Sequence, residues 1–283
     1  MKTTKRKKIV KNKTYNKSHN KKQKHSHTIR RKKRYYVTVE FKGGIGNRIF
    51  QVFAGIQYAK KYNKEFVICK QFIQNNPHDI DDKISTIQKI IPNIHIIDTI
   101  DKYTTIDYHD KAYEYIVMPY YVGNVLLKGY FQSEKYFPSN VSSIRTSYYP
   151  NTYFIHIRAG DYITTGRYIV TKHYYKKCIR DILKQNPNAS FLVFSDDNSY
   201  AKKYLQKFKI QYKLSDTKTG YDTLIEMSNC CGAICANSSL SWLGAFFQRK
   251  PRGLIYMPSK WVYNKQKINS DIYPSWAIKM NTN

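Results

Sequence analysis

The sequence predicts an α/β chain made of two successive rounds of strand and helix. Three observations carry that expectation. A β-rich run, Tyr35-Tyr36-Val37-Thr38-Val39-Glu40-Phe41, leads through a glycine turn into apolar residues at helical spacing. After a polar stretch containing Pro138 and Asn140, the alternation restarts at Tyr153. Three strands of this second half, ending near Arg158, Ser195 and Asn237, each deliver polar groups just before a helix. In a doubly wound parallel sheet such ends lie along one edge and face one crevice. The expected organisation is a basic tail over residues 1–34, an N-terminal half over 35–148 and a C-terminal half over 149–283.

Taken in order, the glycine turn is Lys42-Gly43-Gly44-Ile45-Gly46-Asn47. Ile49, Val52, Phe53, Ile56 and Ala59 then recur on one helical face, with Asn47 expected as the N-cap. Such a turn lets backbone N–H groups and the helix dipole approach an anion, and it equally serves tight strand-to-helix packing. It is neither a Gly-x-Gly-x-x-Gly fingerprint nor a P-loop. Residues 65–69 and 125–131 read as strands, while residues 71–115 give only short apolar pieces such as Ile94 to Ile97. Asp79, Asp81 and Asp82 lack partners at ligand spacing and read as a loop or helix start rather than a metal site. In the second half, 153–158, 191–194 and 232–236 read as strands, and 173–183, 199–208, 222–228 and 240–247 as helical.

The net charge is +30, and residues 1–34 hold 16 of the 49 Lys and Arg with no acidic residue. About half of the excess therefore belongs to a segment too poor in apolar residues to offset its ordering entropy, and disorder is expected there. Three roles fit it: a solvated extension, attachment to nucleic acid or an anionic membrane surface, or nuclear targeting by clusters such as Arg30-Arg31-Lys32-Lys33-Arg34. No apolar run approaches the roughly 20 residues that span a bilayer, and no signal-peptide core follows Met1. The expected setting is cytoplasmic or peripheral to a membrane. Five cysteines, two of them adjacent, make a poor disulfide or zinc framework, and Cys230, Cys231 and Cys235, in an apolar stretch, read as small buried residues.

The run Tyr153-Phe154-Ile155-His156-Ile157-Arg158-Ala159-Gly160-Asp161-Tyr162 is the sharpest local signal. A buried strand delivers His156 and Arg158 on one face and ends in Ala-Gly-Asp. Two readings compete: an Arg158–Asp161 ion pair closing a turn, or a ligand site at a strand end. The polar turns at Ser195-Asp196-Asp197 and Asn237-Ser238-Ser239 favour the second, because they would share its edge.

Five segments in order resemble glycosyltransferase family 11, the α-1,2-fucosyltransferases. They are Gly43 to Gln51, Gly129 to Phe137, His156 to Tyr162, Phe194 to Asp197 and Asn237 to Trp242, and Asp271 to Trp276 is also similar. The resemblance covers about residues 36–278. It implies a GT-B-like fold with two Rossmann-like domains facing across a cleft, GDP-fucose as donor, a glycan hydroxyl as acceptor, inversion at the anomeric carbon, and no required cofactor or metal. On that resemblance Arg158 holds the diphosphate, Ser238 and Ser239 donate to it, and Asp196 or Asp197 accepts from guanine. His156 and Asn237 line the nucleotide pocket. Asn47 with Gly43, Gly44 and Gly46 meets the substrates from the other domain. Asp161 either serves as base or, preferably, braces Arg158. The chain departs from the family pattern at Ala159, where a second Arg is usual, and at Arg48, where Gln is usual. Alternatives are another GDP-sugar or acceptor on the same fold, and a nucleic-acid-associated sugar-nucleotide binder without transferase activity.

Overall fold

The computed structural model describes residues 34–73, 84–107, 114–167, 169–248, 253–261 and 270–282. The basic segment and the Asp79, Asp81, Asp82 cluster lie outside them. The first half holds β1 (Tyr36–Val39), α1 (Ile45–Lys61), β2 (Glu65–Cys69), α2 (Ile84–Ile90), β3 (His95–Ile97), β4 (Tyr103–Asp107) and β5 (Asn124–Lys128). Its strands pair in the order β3-β2-β1-β5-β4, all parallel. Neighbours therefore run outward from β1 through β2 to β3 on one side, and β5 opens the other.

The second half holds β6 (Tyr149–Ile157), α3 (Gly160–Thr164), α4 (Lys172–Gln185), β7 (Ser190–Ser195), α5 (Asn198–Leu205), β8 (Tyr212–Leu214), α6 (Gly220–Asn229), β9 (Cys230–Ile234), α7 (Ser239–Phe246), β10 (Ile255–Pro258) and β11 (Ile278–Met280). Its sheet runs β11-β10-β9-β6-β7-β8, again parallel. Counted from β6 as the first strand, this is the 3-2-1-4-5-6 order of a doubly wound dinucleotide fold. The order reverses between β6 and β9. The corresponding reversal in the first sheet lies between β1 and β5. The expected pair of Rossmann-like sheets is thus present.

Several elements differ from the sequence reading. α1 starts at Ile45, with the extended Gly44 as its N-cap at φ −74°, so Asn47 sits inside the first turn and does not cap it. β5 stops at Lys128 because Gly129 and Phe131 take positive φ values of 141° and 50°. β6 begins at Tyr149, inside the stretch expected to be a boundary. β8, β10 and β11 are short, and the periodicity of three or four residues is too brief to reveal them.

The two halves share one apolar core along α1 and α7. Phe50 meets Trp242 edge-on at 4.9 Å between ring centroids and Phe137 at 5.1 Å. Trp242 also stacks on Phe246 and meets Trp276, and its indole N–H donates to the Ile272 carbonyl at 2.7 Å. The C-terminal segment crosses back to the first half. Lys135 Nζ pairs with Asp271 at 2.5 Å, and Trp276 Nε1 donates to Glu134 at 2.8 Å. All five cysteines are buried and unpaired by disulfides, as the apolar stretch around Cys230, Cys231 and Cys235 predicts for those three.

Candidate functional site

Both topological reversals carry the sequence-predicted segments at the C-terminal ends of their strands, where ligands bind in open α/β sheets. In the first half β1 runs into the glycine turn and β5 into Gly129 to Ser133. The turn is pinned by side chains. Lys42 N–H donates to Gln51 Oε1 at 3.2 Å, and Gln51 Nε2 donates to the Gly129 carbonyl at 3.0 Å. Gln132 Nε2 donates to Asn47 Oδ1 at 2.6 Å, so Asn47 is oriented from the neighbouring strand end. Gln132, within the Gly129 to Phe137 segment, is a site residue that no local sequence signal marks. Its Oε1 is buried without a hydrogen-bond partner among the described residues.

Gly43 takes φ +72°, which favours glycine, and a Cβ there would stand 2.2 Å from Asn47 Nδ2, so a larger residue would strain the turn and displace the Asn47 amide. Arg48 turns inward. It is 3% exposed, donates from Nε to the Gly43 carbonyl at 3.0 Å and lies 5.8 Å from the Phe41 ring centroid. It therefore braces the turn from within.

In the second half Arg158 follows β6. Its Nη2 lies 2.6 Å from Asp161 Oδ1 and its Nη1 lies 3.1 Å from Asp196 Oδ2. Its guanidinium carbon sits 5.3 Å from the centre of the Tyr162 ring, which also has Arg167 at 5.6 Å. Tyr162 in turn donates its hydroxyl to the Asn237 carbonyl at 3.2 Å, tying this loop to the one before α7. The ion-pair reading of Arg158 is thus realised, and the pair sits at the sheet reversal. A guanidinium has five N–H donors in a planar fork, so two carboxylate contacts leave others for an anion.

Asp196 also accepts the Ala159 N–H at 2.9 Å, and Asp197 caps α5 by accepting from Tyr200 N–H at 2.9 Å. Ala159 itself is fully buried. Asn237 donates from Nδ2 to the Trp261 carbonyl at 2.9 Å, and Ser238 caps α7 through Leu240 N–H at 3.3 Å. Among the described residues, no group of three or more His, Cys, Asp or Glu stands where it could hold a metal ion.

The two helix N-termini meet. A Cβ on Gly46 would stand 2.6 Å from Leu240 N and 2.7 Å from Ser239 Oγ, so the first turn of α1 lies directly against the first turn of α7. Neither turn contains an acidic residue, and Gly44 supplies no side-chain cap. Two positive dipole ends therefore meet, with no carboxylate of their own first turns to neutralise them.

His156, on β6 one strand position pair before Arg158, is 3% exposed, and its Nδ1 has no partner among the described residues. Burial, then the neighbouring Arg158 guanidinium, lowers its pKa from 6.5 to about 4, against an opposing pull from Asp196. The unfolded chain binds this proton near pH 6.5 and the folded chain only near 4. The unfolded state therefore carries more protons in that window, and stability falls as pH drops through it. The ceiling on this contribution is about 3 kcal/mol. Thermal melts taken from neutral pH down to about pH 4 are expected to show a shallower acid loss in His156→Gln than in the parent. Equal slopes would place the acid sensitivity in other groups.

The family model described as Glycosyl transferase family 11 matches residues 6–278. It begins earlier than the resemblance read from the sequence and reaches into the basic segment. An α-1,2-colitosyltransferase of Escherichia coli is 26% identical over 278 residues, covering 83% of this chain and 94% of that protein. The E. coli O-antigen biosynthesis glycosyltransferase WbnK is 33% identical over 135 residues, 44% of each chain. Among solved structures, the fucosyltransferase NodZ from Bradyrhizobium aligns with 75% of this chain and 93% of its own at a TM-score of 0.48 and 12% identity.

Proposed function

The chain belongs to glycosyl transferase family 11, and from that premise we propose that it moves L-fucose from GDP-fucose to a glycan hydroxyl, as a galactoside 2-α-L-fucosyltransferase. The observation that carries this reading is the contact between the first turns of α1 and α7, with the Arg158 loop tied through Tyr162 to Asn237 just before α7. In the transfer, the bond between C1 of the sugar and the β-phosphate oxygen breaks while the acceptor oxygen bonds to C1 from the opposite face. Negative charge grows on the departing diphosphate, and fixed cations and N–H donors aimed there stabilise that change. Arg158 suits the role because its fork matches two phosphate oxygens.

Asp161 and Asp196 hold the Arg158 guanidinium in place before substrate arrives. Ser238, Ser239 and the α7 N-terminus donate to the diphosphate from one side. Gly43, Gly44, Gly46 and Asn47 line it from the other. His156 and Asn237 border the nucleotide. The second oxygen of Asp197, whose Oδ1 caps α5, is the group offered to a guanine edge. The acceptor hydroxyl gives up its proton to a base that none of these contacts assigns. No metal or other cofactor is required in this reading, since Arg158 and the helix termini supply the positive charge.

A second reading keeps the site and changes the sugar. The α-1,2-colitosyltransferase relative and the buried Ala159 in place of the usual second Arg favour it. Incubating the full chain with GDP-fucose or GDP-colitose and a panel of β-galactosides separates the two. Release of GDP with a fucosylated product is the expected result. Preferential turnover of GDP-colitose supports the second reading, and saturable GDP binding without turnover of either sugar rejects both.

A further inference from the structure

We infer that the face formed by residues 117–122 and the end of α1 docks on an anionic lipid surface. Val117, Tyr120, Tyr121 and Val122 are 61%, 55%, 37% and 71% exposed. They are four of the six residues 117–122, and Val122, Val117 and Tyr120 are the three most exposed large apolar side chains described. A contiguous exposed apolar ridge on a folded protein marks a surface that something else covers.

The ridge is held outward by its own backbone contacts. Tyr58 donates its hydroxyl to the Pro119 carbonyl at 2.9 Å, Tyr62 donates to the Met118 carbonyl at 2.5 Å, and Lys64 Nζ donates to the Gly123 carbonyl at 2.6 Å. Met118 is the inward anchor, 7% exposed. With the backbone fixed at three points, the valines cannot fold under without breaking those bonds.

The surroundings select the occupant. Lys60 and Lys61 are exposed at the end of α1, and Lys61 Nζ lies 5.0 Å from the Tyr62 ring. Tyr62 meets Tyr120 at 5.5 Å, and Lys64 lies 5.3 Å from the Tyr120 ring and 5.1 Å from the Tyr35 ring. Arg34 is 80% exposed in its side chain, although its guanidinium also lies 3.5 Å from Glu65. Tyrosines beside lysines around a short apolar tip match the headgroup boundary of a bilayer, where rings sit at the interface and ammonium groups meet lipid phosphates. The chain's charge of +30 has the complementary sign. A nucleic acid fits less well. Valines offer no face for a base, and the Tyr120 ring is already engaged by Tyr62 and Lys64.

The test is co-sedimentation of the full chain with phosphatidylcholine vesicles, alone or with about a third phosphatidylglycerol. Binding is expected with the anionic vesicles. It should weaken about tenfold in Val117→Ser/Val122→Ser and similarly in Lys60→Glu/Lys61→Glu. Melting temperatures are expected to stay at the parental value. Should the Ser pair lower the melt, the isosteric Val117→Thr/Val122→Thr pair repeats the test with the shape kept.

Three results overturn the inference. Undiminished vesicle binding by the valine variant would assign attachment to charge elsewhere in the chain. A parent that is dimeric by light scattering, with a monomeric valine variant, would give the face to a second copy. Duplex RNA binding lost in the valine variant, with vesicle binding untouched, would give it to nucleic acid.

Discussion

Arg158→Ala is expected to slow sugar transfer by on the order of a hundredfold or more, the effect of removing one preorganised donor from a developing anion. The geometry makes the loss larger than that of a surface cation. The guanidinium lies 2.6 Å from Asp161 and 3.1 Å from Asp196, both about a quarter exposed. Without it two carboxylates would stand unpaired at the proposed diphosphate site, so repulsion would add to the missing attraction. Arg158→Lys keeps one charge and loses the planar fork, so an intermediate rate is expected. Steady-state release of GDP measures both, with direct GDP binding as the second readout. If Arg158 serves only to close its loop, Arg158→Ala will lower the melting temperature and leave the turnover of the folded fraction near the parental rate. That outcome would withdraw the assignment.

Trp242→Ala is expected to destabilise the fold by about 4 kcal/mol, from lost transfer energy and the cavity left behind. For a domain of this size that corresponds to a melt lowered by about 10 °C. Trp242 is fully buried, touches Phe50, Phe137, Phe246 and Trp276, and has its indole N–H bonded to the Ile272 carbonyl. Because those rings come from both halves, the whole chain should lose stability in one step, as followed by circular dichroism. Two separated transitions with only one displaced would show instead that the halves fold independently. The same packing seats Gly46 against Ser239, so the variant that still folds is also expected to bind GDP less tightly.

What the sequence made legible was local. Glycines next to a β-branched run marked the entry to α1, and three polar strand ends marked the edge of the second sheet. Phe154 and Phe194, for example, announce their strands through apolar runs whose ends are sharp. The parallel order of those strands followed only as an inference from alternation. The three-residue strands β8 and β11 went unread because a run that short carries no period. Asn47 does not cap α1, because a cap is defined by backbone angles and the extended Gly44 meets that need first.

The candidate site divides in the same way. His156, Arg158, Asp196 and Asn237 to Ser239 could be named from the sequence because each stands at the end of a readable strand. Their mutual use could not. That Asp196 serves Arg158 and the Ala159 N–H, that Arg48 turns into the interior, and that Gln132 orients Asn47 are contacts between segments from 5 to 85 residues apart. The sequence by itself determined two α/β halves, the strand ends that carry polar groups, and the family to which they belong. Only the tertiary structure decided that the first turns of α1 and α7 touch, because that contact depends on how two sheets pack through a shared aromatic core. Packing of that kind is set by the shapes of side chains from both halves together, and no single stretch of sequence contains it.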